Sequence, residues 1–195
     1  MNLRRFVLAL TVVTAGGLAW FLSLAKGHRP VPRRQPDVVK VGFQVGERAP
    51  DFALRSLNGV DLRLSNLQGR PVLLNFWATW CAPCRVEMPW LAELDATYRS
   101  HGVQIIGVAM ESGSPEEVAA FAREHGVQYQ VVLGNSATAD EYGGVRFMPQ
   151  SFFIDPEGKI TKTTTGLTDR RDIEDGIKAL LAGNSKAPLA RGGRP

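Results

Sequence analysis

Apolar positions along this chain come in three kinds of run, and each predicts a different element. Residues Phe6–Ala25, FVLALTVVTAGGLAWFLSLA, form an uncharged stretch of 20 residues, long enough to cross a bilayer as a helix. It is apolar all round, which a helix packed in a small core is not. PVLLNFWA (71–78) and VQIIGVA (103–109) are short and almost continuously apolar, the pattern of strands buried on both faces. Between them Met88, Leu91, Leu94 and Tyr98 recur at helical spacing, which predicts a helix from about Ala82 to His101. Ser114-Pro115-Glu116-Glu117 opens the next helix with a cap, a proline and acids in the first turn, and that helix ends near Gly126.

Shorter signals complete the order. Asp51–Leu54 and Asp61–Leu64 flank Asn58-Gly59 and predict a β-hairpin. A strand over Tyr129–Leu133, a short helix over Ala137–Tyr142, a second hairpin (Ser151–Asp155, turn at Pro156-Glu157-Gly158, Ile160–Thr165) and a closing helix over Asp169–Leu181 follow. Strands alternating with helices make this an α/β fold with helices on both faces of a sheet.

The chain divides accordingly into four expected regions. Residues 1–27 are a signal anchor or signal peptide, residues 28–42 a basic, proline-rich linker containing RPVPRRQP, residues 43–183 a single folded domain, and residues 184–195 a disordered tail of Gly, Pro, Lys and Arg. Ser23-Leu24-Ala25 supplies small residues for cleavage after Ala25, whereas the length of the run and Trp20 near its end favour a retained anchor. Lys26, Arg29, Arg33 and Arg34 follow the segment and Arg4 and Arg5 precede it, so basic residues do not decide orientation. An N-terminal apolar segment ahead of one domain is the usual layout for export, which places the domain in the periplasm or another extracytoplasmic space.

Charge changes one inference. The net charge of +4 suggests nucleic acid until it is divided by region. Residues 1–40 carry 7 basic and 1 acidic side chains, residues 41–183 carry 13 and 18, and the tail 3 basic ones. The folded part is acidic, which argues against a nucleic-acid partner. With 44% hydrophobic and 22% charged residues, the composition is that of a globular protein and excludes wholesale disorder.

The candidate chemistry is WCAPC, Trp80 to Cys84, which holds both cysteines of the chain. A strand leading into Cys81 and a helix starting at Ala82 put the first sulfur at a helix N-terminus, where free backbone N–H groups and the helix dipole favour a thiolate. Cys84, one turn further in, is shielded and close enough to close a small disulfide ring, so Cys81 is the nucleophile and Cys84 the resolving thiol. Pro83 costs the first helical turn little and stiffens it. A zinc half-site is the competing reading, but it needs two further ligands, and His28, His101 and His125 fall in the linker and at helix ends. An inert staple is the other; so small a loop removes little unfolded-state entropy.

NFWATWCAPCRVEMP, with APDFAL upstream and GVRFMPQSFFIDPEGKI and Gly166 downstream, resembles the thioredoxin fold in its TlpA/ResA/DsbE-like branch of membrane-tethered thiol-disulfide oxidoreductases, within the redoxin (AhpC/TSA-like) superfamily. The resemblance covers about Val45 to Leu181. It implies a thioredoxin-like three-layer sandwich with an N-terminal β-hairpin and a central insertion, preceded by one hydrophobic helix. It implies that Met148-Pro149 is the cis-proline loop lying against the redox-active disulfide, with Met148 lining the substrate groove beside Trp80, Ala82 and Pro83. It links Glu87, three residues after Cys84, to proton transfer from the buried cysteine; Asn75 stands where ordinary thioredoxins carry a buried aspartate, and a solvated surface glutamate is the alternative. Pro89 should kink the helix, and Trp77 reads as core.

The function expected on this reading is reduction of disulfides in exported proteins. The resemblance implies apocytochrome c in cytochrome c maturation as a substrate class and a membrane electron donor as a partner; no cofactor and no metal is called for. Two other functions compete. A peroxiredoxin-like peroxidase normally has Pro and Thr at set distances before its cysteine, where Leu74 and Ala78 stand here. A copper chaperone of this fold adds a distant histidine, and none lies near Met148-Pro149.

Overall fold

The computed structural model describes residues 45–110 and 113–184. The expected membrane segment and linker, the first two residues of the expected domain, and the expected tail apart from Asn184, which ends the last helix, lie outside these residues. Among the described residues no helix is long and apolar enough to cross a membrane.

A small antiparallel hairpin, β1 (Ala53–Arg55) and β2 (Asp61–Arg63), precedes a five-stranded mixed sheet of order β5-β4-β3-β6-β7. These strands are β3 (Val72–Trp77), β4 (Gln104–Ala109), β5 (Gln130–Leu133), β6 (Gln150–Ile154) and β7 (Ile160–Thr165). β3 lies at the centre and is buried at all six positions, as its unbroken apolar run requires. It pairs in parallel with β4 and antiparallel with β6, which sets Gly107 on one side of Asn75 and Ser151 on the other.

The helices are α1 (Ala82–Tyr98), α2 (Pro115–Glu124), α3 (Ser136–Glu141) and α4 (Arg170–Asn184). α1 gives way to a 3₁₀ turn over Arg99–His101 rather than continuing to His101, and Gly102, at φ 93°, ends it in the left-handed conformation that glycine adopts at low cost. Pro89 lies inside α1, which runs on through it. α2 begins with a full capping box, Ser114 accepting from the Glu117 amide and Glu117 accepting from the Ser114 amide.

The sheet separates two cores. On one face α1, α2 and α4 pack Met88, Leu91, Leu94, Val118, Ile173 and Ile177 against Leu73, Trp77, Ile105 and Phe153. On the other, α3 and the hairpin pack Tyr142, Phe52 and Leu54 against Leu74, Phe76, Val108 and Phe152. The result is the expected thioredoxin-like α/β sandwich with its hairpin. Both sheet edges are partly covered: the hairpin bridges β5 at Ser56 and Val132, and Arg48 bridges Lys159 at the start of β7.

Candidate active site

The site forms where β3 ends and α1 begins. Cys81 is the N-cap of α1, in extended conformation, and its sulfur accepts the Cys84 amide N–H at 3.3 Å. The two cysteines form a disulfide with Cα atoms 5.3 Å apart. Cys84 is 1% exposed and Cys81 5%, so in this oxidised state the first sulfur is itself covered rather than open, while its neighbour Trp80, at 61%, stands out into solvent. Ala82 is exposed and Pro83 half-buried.

The Met148–Pro149 peptide is cis. It brings the Met148 carbonyl oxygen to 3.5 Å from Cys81 Sγ, across 67 residues of sequence. The loop is closed from behind by the Gly166 amide, which donates to the Pro149 carbonyl at 2.7 Å. Met148 is half-buried and touches both cores, while Phe147 beside it is 72% exposed. Trp80 and Phe147 thus leave apolar surface on the two segments that meet at the disulfide, and Leu167, 44% exposed, adds more beside Gly166.

Glu87 is not a surface residue. It is 1% exposed, facing the sheet from α1, and its Oε2 accepts from Asn75 Nδ2 at 2.8 Å. The same amide nitrogen donates to Ser151 Oγ at 2.9 Å, so Asn75 ties the helix to β6 through β3. Burial pushes the Glu87 carboxyl up from its ordinary 4.5 to about 7, against the Asn75 hydrogen bond, which lowers it. A carboxyl with a midpoint near neutrality one helical turn from a cysteine can accept or release a proton at physiological pH.

Two contributors escaped sequence reasoning. Arg85 donates from Nε and Nη2 to the Thr79 carbonyl at 3.1 and 2.9 Å, clamping the loop that carries Trp80, and its guanidinium lies 5.7 Å from the Phe121 ring centre. Phe147 is the other; its only signal was an aromatic residue adjoining the Met148-Pro149 pair. Trp77 is core as expected, stacked on Phe121. Leu74 is buried in the sheet and Ala78 beside the disulfide, so neither offers the polar group a peroxidatic site needs. His125 stacks on Phe121 at 4.1 Å, far along the chain from the cis-proline loop.

Comparison with known proteins agrees with this geometry. Residues 45–163 match the AhpC/TSA family. The chain is 37% identical over 142 residues to the thiol-disulfide oxidoreductase ResA of Geobacillus thermodenitrificans, covering 72% of this chain and 80% of that one. It is 36% identical over 146 residues to ResA of Bacillus subtilis, covering 75% and 81%. Among solved structures it is similar to a putative thiol:disulfide interchange protein DsbE from Chlorobium tepidum, at a TM-score of 0.66 and 32% identity, over 72% of this chain and 99% of that one.

Proposed function

The chain belongs to the AhpC/TSA family and is a thiol-disulfide oxidoreductase of the ResA-like kind, and from that premise we propose that it reduces disulfides in exported proteins, held at the outer side of a membrane by its N-terminal segment. The observation that carries the chemistry is the placing of Cys81 Sγ at the start of α1, against the Cys84 amide and the cis Met148–Pro149 peptide, with a neutral-range carboxyl buried behind it.

In the reduced protein Cys81 attacks as the thiolate, which the α1 N-terminus and the Cys84 N–H stabilise. Its sulfur bonds to one sulfur of the substrate disulfide, and the other leaves as a thiolate that takes a proton from solvent. Cys84 then loses its proton to Glu87 and attacks Cys81 Sγ; the Cys81–Cys84 disulfide closes, the second substrate sulfur leaves as a thiolate that takes a proton from solvent, and Glu87 returns its proton to solvent. The substrate gains two electrons and two protons. Regenerating the dithiol requires a two-electron donor, and for a tethered protein a membrane dithiol reductant fits that role.

The exposed rings of Trp80 and Phe147, with Met148, Ala82 and Pro83, form the surface on which the substrate chain lies. Proteins exported with unwanted disulfides are the substrate class, apocytochrome c with its haem-binding cysteines among them. Support for the extracytoplasmic location comes from the apolar run Phe6–Ala25, and for the reductive direction from the likeness to ResA.

The test is reduction of insulin and of oxidised apocytochrome c by the pre-reduced chain, with the potential of the Cys81–Cys84 couple measured alongside. Activity is expected from the native sequence and only the uncatalysed rate from Cys81→Ser. Activity surviving in Cys81→Ser refutes the mechanism, and a potential above that of the extracytoplasmic thiol pool refutes the reductive direction.

A further inference from the structure

Between β3 and the first cysteine the chain makes one tight turn. The Cys81 amide donates to the Ala78 carbonyl at 3.2 Å, which leaves Thr79 and Trp80 as the two central residues. The bond that closes such a turn fixes its ends. The peptide between the central residues is the part that can rotate, and its direction separates one turn type from another. Here that peptide carries the Thr79 carbonyl and leads into Trp80, whose ring stands exposed next to Cys81. A group that holds the Thr79 carbonyl therefore fixes the backbone from which the Trp80 ring projects.

Arg85 holds it from α1. Its Nε and Nη2 both donate to that one oxygen, at 3.1 and 2.9 Å. Its own backbone N–H donates to the Cys81 carbonyl at 3.3 Å, so the side chain reaches back from the first turn of the helix over the residues that lead into it. The guanidinium also lies 5.7 Å from the centre of the Phe121 ring, on α2. That ring is itself stacked on the core side chain Trp77, at 5.7 Å, and on His125, at 4.1 Å. The turn is thus braced against two helices as well as closed by its own hydrogen bond. We propose that Arg85 is a positioning residue for substrate recognition: by the shape of its guanidinium rather than by its charge, it holds the Thr79 carbonyl and so fixes the turn that presents Trp80 to a polypeptide substrate. This rests on the reading above that the Trp80 ring is part of the surface on which the substrate chain lies.

A ring on a loose turn has to be immobilised each time a substrate chain binds, and that ordering is subtracted from affinity. A ring held beforehand avoids the loss. Shape and charge can be separated, because lysine carries the same charge on a flexible stem: it can give one bond to a carbonyl, but it has neither the planar pair of donors nor a flat face for Phe121. The competing role for Arg85 is a positive charge that steadies the Cys81 thiolate, and in that role lysine would serve as well as arginine.

The experiment compares the native full chain with Arg85→Lys and with Arg85→Met, which is uncharged and unbranched. The first readout is the mobility of the Trp80 side chain in the oxidised chain without substrate, from NMR relaxation of its indole N–H; both variants should leave the ring clearly more mobile than in the native chain. The second is insulin reduction with dithiothreitol as electron donor. Both variants should raise KM about three- to tenfold, with the change carried by KM rather than by kcat. In a Trp80→Ala background Arg85→Met should raise KM no further, because the ring that the clamp serves is gone. A rigid Trp80 and a native KM in Arg85→Lys would show that charge suffices and would overturn the proposal. So would a loss confined to kcat, or an Arg85→Met effect undiminished in the Trp80→Ala background. Failure of the native chain to reduce insulin would sink the function proposed above, whereas the mobility of Trp80 needs no substrate and judges this inference alone: a ring loosened in both variants supports it, and a ring that stays rigid in either overturns it.

Discussion

The two faces of the central sheet bury the same kinds of residue and treat their polar atoms in opposite ways. On the hairpin face Tyr142 packs among Phe52, Phe76 and Phe152, with ring centres 6.4, 5.3 and 5.0 Å away, and its hydroxyl donates to the Pro50 carbonyl at 2.8 Å. On the α1 face Tyr129 is also buried, and its hydroxyl has no partner among the described residues. Nearby, Glu87 carries a carboxyl that burial pushes to about 7. The first face uses a tyrosine as a large apolar side chain with its polar end tied off. The second keeps unspent hydrogen-bonding capacity next to the disulfide. A folded protein tolerates such polarity at a cost, and here the cost falls beside the Cys81–Cys84 disulfide.

The sharpest way to break this contrast is on the packing face. Phe76→Ala removes a fully buried ring from the Tyr142–Phe152 cluster and should cost about 3–5 kcal/mol of stability by denaturant unfolding. The pH dependence of stability should keep its shape, because the titratable group the ring touches, Tyr142, is pushed above its ordinary range by burial and stays neutral. A changed shape would mean that the two faces are coupled.

On the chemical face Glu87→Gln should have an effect that depends on pH. The folded chain holds the Glu87 proton up to about pH 7, whereas the unfolded chain releases it near 4.5. Between those values folding takes up a proton, so this contribution is complete below about 4.5 and is lost as pH rises through about 7. The native oxidised protein should therefore lose about 3 kcal/mol across that window relative to Glu87→Gln. Urea unfolding of both proteins at the two ends of the window measures it, and parallel curves would show that the carboxyl titrates normally.

The smallest effect sharpens the comparison most. Tyr142→Phe deletes a satisfied hydroxyl and leaves the Pro50 carbonyl without its donor, costing about 1 kcal/mol. It should leave the Glu87 midpoint where it is, because Tyr142 lies on the opposite face of the sheet from that carboxyl. A Glu87 midpoint moved by Tyr142→Phe would erase the distinction between the faces.

Much of this was legible in the sequence. β3 and β4 announced themselves as continuous apolar runs, and β1 and β2 by Asn58-Gly59 between them. The exchange pair was read from Cys81, Cys84 and the helix start, all within one turn of chain. The likeness to a known family supplied the cis Met148–Pro149 loop and the suspicion of Glu87. What escaped were relations between distant residues. Arg85 has no pattern that reveals its grip on Thr79, because that bond depends on how the loop turns back. Tyr129 reads as an ordinary strand-leading aromatic until Gly107 is set beneath it by β4.

The sequence by itself determined the order of the elements, the place of Cys81 at a helix start and the buried place of Cys84, because apolar periodicity and helix capping act over a few residues. Only the tertiary structure decided that Glu87 faces inward, that Asn75 holds it while also holding Ser151, 76 residues away, and that Trp77 and Tyr129 close over Gly107. Desolvation sets the proton affinity of that carboxyl, and it exists only once separate strands and a helix have excluded water together.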